Sequence, residues 1–241
     1  MWIQDWIQPE EEANFIFLDF LNLLREEGLG PVAPVSHGGI LSYYSARGFR
    51  DQVINLIQQA EKRDWSHIHP QISVHGFKKP NGKVFYDANG RVALLVLDNG
   101  CPSLTTGFIL DWEHYHTPPI LGTRSPDFAV ILRFTGKYPD KYFDLKVYQD
   151  FVGKLENRMN LLGDGWIFHN HIDDKQISQK HKGFPIHIRK PMIDLLRGTE
   201  SSEDQVNRFM KANETILKEI LACQEFWDMR QAFVEEASQD E

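Results

Sequence analysis

Apolar and polar positions alternate along this chain with two different periods, and where the period changes the element type is expected to change. From Phe128 to Phe134 every residue except Arg133 is apolar, which predicts a central strand covered on both faces. Val92 to Leu97 reads the same way. It follows Asp87-Ala-Asn-Gly90, a turn sequence that joins it to a strand over 84–86 as a hairpin. Shorter alternating runs predict strands over 72–77, 108–113, 143–147, 166–172 and 184–188. In the third of these Asp144 and Lys146 share a face, and the spacing pairs 142–147 with 128–134. Near Gln149 the apolar spacing lengthens to three and four: Phe151, Val152, Leu155, Met159 and Leu162 predict a helix over 149–162 that stops at Gly163.

The same period marks three further helices. Pro9 and the acids Glu10 to Glu12 suit the start of one over 9–27, which ends at Gly28. A second covers 49–63, with Val53, Leu56, Ile57 and Ala60 inward. Ser202-Glu-Asp-Gln205 has the pattern of a reciprocal N-terminal cap, and the apolar stripe from Val206 to Trp227 predicts one long helix to about residue 234. Residues 28–39 and 117–125, rich in Gly and Pro, read as loops. The expected fold is α/β of the α+β kind: a single domain over 1–241, with a mixed, largely antiparallel sheet flanked by N-terminal, middle and C-terminal helices. Residues 235–241 form a frayed acidic tail.

A chain of 241 residues is long enough to bury one substantial core. Its net charge of −8 gives no general attraction to nucleic acid, although it leaves room for a local basic cleft. No apolar run is long enough to span a bilayer, no signal segment is visible, and the two cysteines, Cys101 and Cys223, form no ligand motif. A cytoplasmic protein is expected, with no membrane partner.

Three constellations bear on chemistry. In the first, Pro126-Asp127 precedes an apolar strand, Asp144-x-Lys146 lies on the next, and a helix and a further strand follow. This order resembles the PD-(D/E)xK nucleases over residues 126–171. The resemblance implies a Mg²⁺- or Mn²⁺-dependent nuclease, with Asp127 and Asp144 as metal ligands, Lys146 near the attacking water and Glu113 as a further acid. Hard cations prefer such oxygen ligands, and a bound metal lowers the pKa of its water.

Histidine supplies the second. There are ten, and His67/His69, His114/His116 and His169/His171 occur as H-x-H, which on a strand puts both imidazoles on one face. His169 and His171 are therefore candidate metal ligands, with zinc a lesser candidate than magnesium or manganese, and a strand over 184–188 would bring His187 beside them. His169-Asn-His-Ile-Asp-Asp174 also looks like the metal-binding motif of the metallo-β-lactamases, with Asp174 in place of its last histidine.

The third is basic: His187, Arg189, Lys190 and Arg197 form a local cationic group suited to an anion. Two functions are expected from these features. One is a metal-dependent hydrolase acting on nucleic acid. The other is a non-enzymatic protein-interaction or inhibitor domain with an acidic surface and a protein partner.

Overall fold

A computed structural model describes residues 53–76, 91–98, 100–109, 127–134, 145–163, 165–170, 185–196, 199 and 201–239. The expected helix over 9–27, the loops over 28–39 and 117–125, the strand and turn over 84–90, and Asp111, Glu113, His114, His116, Asp144, His171 and Arg197 lie outside them.

The chain folds as α+β. A helix, α1, covers 53–61. Six strands form one sheet: β1 (His75–Gly76), β2 (Arg91–Leu97), β3 (Ser103–Ile109), β4 (Asp127–Arg133), β5 (Ile167–Asn170) and β6 (Ile186–Pro191). Their spatial order is β1-β2-β3-β4-β6-β5, and every neighbouring pair among the described strands is antiparallel. Four more helices follow the chain: α2 (Lys146–Leu162), α3 (Met192–Leu196), α4 (Ser202–Leu221) and α5 (Gln224–Gln239). Among the described residues no helix is long and apolar enough to cross a membrane.

One face of the sheet carries the main core. Val92, Leu94, Leu104, Phe108, Phe128, Val130, Leu132, Ile186 and Ile188 pack there with the buried residues of the helices. Phe209 of α4 sits at its centre, with ring centroids 5.4 Å from Phe108 and 5.6 Å from Phe128. Trp65, just past α1, closes on it edge-on at 6.4 Å. The pairing slips between Leu95 and Leu97, and this bulge turns both Val96 and Leu97 into the same core. Gly107 is dictated by packing: a Cβ there would meet the Val92 carbonyl oxygen at 2.0 Å, so only glycine lets the β2 backbone approach this closely.

Residues 145–147 of the expected strand over 143–147 are not strand. Leu145 is the extended N-cap of α2, and Lys146 is the first helical residue. Alternation over so few residues fits a first helical turn as well as a strand. Tyr148, Phe151, Leu155 and Met159 continue it at helical spacing into the core. Both edges of β4 are taken, by β3 and β6, and not by residues 145–147. The Tyr148 hydroxyl donates to Asn170 Oδ1 at 3.0 Å and ties α2 to β5.

The single long C-terminal helix is two. The chain breaks after Leu221 and restarts at Gln224. The carbonyls freed at the end of α4 are taken up locally: Trp227 Nε1 donates to Leu221 O at 2.9 Å and Cys223 Sγ to Glu219 O at 3.4 Å. The apolar stripe continues across the break because both helices bury it, which is why the sequence shows no interruption. The cap of α4 also falls one residue early. Ser201 accepts from the Asp204 amide at 3.1 Å, while Gln205 is buried.

Elsewhere the bounds shift. Within 72–76, β1 covers only His75–Gly76. β3 begins at Ser103, ahead of the expected 108–113. β6 runs on to Pro191 and leads directly into α3.

Candidate functional site on the second face of the sheet

Cross-strand register decides which side chains share the second face. Asp127, Ala129, Ile131 and Arg133 alternate with the core residues of β4. They lie beside Ser103, Thr105, Gly107 and Ile109 of β3 on one side, and beside His187, Arg189 and Pro191 of β6 on the other. Ile109, Ala129 and Ile131 form a small apolar cluster separate from the main core. Around it stand polar side chains that are buried as the cluster is: Ser103, Thr105, Asp127, His187 and Arg189.

At one end lies a buried ion pair. Asp127 Oδ2 is 3.5 Å from Arg189 Nη1, and their side chains are 1% and 4% exposed. Asp127 stands opposite Pro191, so Arg189, opposite Ala129, reaches one row along the sheet to meet it. Burial pushes the guanidinium below its ordinary range, and the charge of Asp127 opposes that shift.

At the other end lies a pair of imidazoles. His169 on β5 and His187 on β6 are directly opposite in the ladder, so they stand side by side on one face. Cross-strand Cβ atoms in this position are about 4.5–5.5 Å apart. His187 is 1% exposed, whereas His169 is partly open. Arg133 is the last residue of β4. Its ladder position next to Ile131, which faces His187, makes it a diagonal neighbour of His187 on the same face. It too is partly open. His187 is thus buried, with the partly open His169 and Arg133 beside it.

The predicted residues are therefore divided. His169 and His187 meet as the alternation of their two segments implies, and Arg189 joins them on the same face. Lys190, one residue on, turns to the core side, where its Nζ lies 5.3 Å from the centroid of the Trp166 ring. Asp127 is about 13 Å along its strand from the row of the imidazoles, and a guanidinium stands beside it. Lys146 opens α2, so it does not share a strand face with residue 144. Among the described residues no three His, Cys, Asp or Glu side chains converge as a metal site.

His67 and His69 lie outside any strand. Nδ1 of His67 is 2.9 Å from the Asp64 carbonyl, and His69 stacks on Trp227 at 5.8 Å. Arg133 was not among the expected site residues, although it is the lone charge in the otherwise apolar run Phe128–Phe134. That interruption is the signal that marks it.

Comparison with protein-family models, with curated proteins and with solved structures finds no match to this chain.

Proposed function

We propose that this protein binds a phosphate-bearing ligand at the His169–Arg133 end of the second sheet face. The observation that carries this reading is the charge of that face. On β4, β5 and β6 the described ionisable groups of that face are Arg133, Arg189, His169 and His187 against one carboxylate, Asp127, in a protein of net charge −8. Asp127 lies beside Arg189 at the far end, and Arg133 stands with the two imidazoles at the near end. Guanidinium groups and imidazoles donate hydrogen bonds to phosphate oxygens, and partial burial strengthens such contacts by lowering the local dielectric. The basic group read from the sequence thus keeps His187 and Arg189, exchanges Lys190 for Arg133, and gains His169.

The experiment is thermal unfolding in inorganic phosphate or pyrophosphate against sodium chloride of matched ionic strength. A ligand that binds the native state raises the midpoint with its concentration. The expected result is a phosphate-dependent rise in the wild type that is lost in Arg133→Gln, a substitution at a partly exposed position. Equal midpoints in phosphate and chloride would refute the proposal.

A further inference from the structure

We draw no further inference here: the strongest candidate, the half-buried Cys101 thiol between β2 and β3 beside the buried Arg230 guanidinium of α5, is a lone cysteine, and nothing else among the described residues points to a ligand there.

Discussion

Replacing Asp127 by Asn should cost about 3–5 kcal/mol of folding stability, the range expected when one partner of a buried ion pair is removed. The Asp127 and Arg189 side chains are 1% and 4% exposed, and their charged atoms are 3.5 Å apart. At an effective dielectric of about 20 that separation corresponds to an attraction of about 4–5 kcal/mol. Asn keeps the shape and removes the charge, so the loss reflects a guanidinium left buried without its carboxylate.

The pair as a whole should be worth far less than either half, because desolvation of two ions consumes most of the attraction. Arg189→Met alone should therefore be costly, and the double variant less destabilised than the sum of the singles by at least about 1.5 kcal/mol. The assay is urea unfolding at neutral pH followed by tryptophan fluorescence, with all four proteins in one thermodynamic cycle. A loss below about 1 kcal/mol in Asp127→Asn, or additivity within about 0.5 kcal/mol, would show that the two charges do not depend on one another. The reading of this face as a buried electrostatic array would then fail.

Two further outcomes follow from the core. Gly107→Ala places a methyl against the Val92 carbonyl and should destabilise by about 1–3 kcal/mol through forced backbone movement, whereas Gly153→Ala, on α2 with open space around it, should be neutral or stabilising. Equal midpoints for the two variants would contradict the close approach of β2 and β3. Burial raises the Cys223 thiol above its ordinary value of 9.0. The unfolded chain then ionises first, so this contribution is complete below about pH 9 and is lost as pH rises through the folded value. The wild type should lose stability above pH 9 more steeply than Cys223→Ala, as read from denaturation midpoints between pH 8 and 11; parallel curves would refute it.

Local pattern was enough for the elements whose burial is one-sided or complete. The run from Phe128 to Phe134 could only be a strand covered on both faces, and Val53, Leu56, Ile57 and Ala60 could only line one side of a helix. The H-x-H at His169 and the alternation around His187 also showed which faces those residues take within their own strands. What the pattern left open was the competition between elements.

Residues 143–147 alternate, but a strand there has no vacant edge of β4 to join, because β3 and β6 occupy both. The helix that begins at Lys146 instead buries Tyr148, Phe151, Leu155 and Met159. The apolar stripe from Val206 to Trp227 hides a break at residues 222–223, since two helices folded against one core need the same stripe as one straight helix. The candidate site has the same character. Arg133, His169, His187 and Arg189 come from three strands, and only the order β4-β6-β5 and its register put them on one face. A strand's period determines which side a residue takes; the neighbours that share that side are decided when backbone hydrogen bonds pair segments distant in sequence, and that choice is made by the packing of the whole sheet.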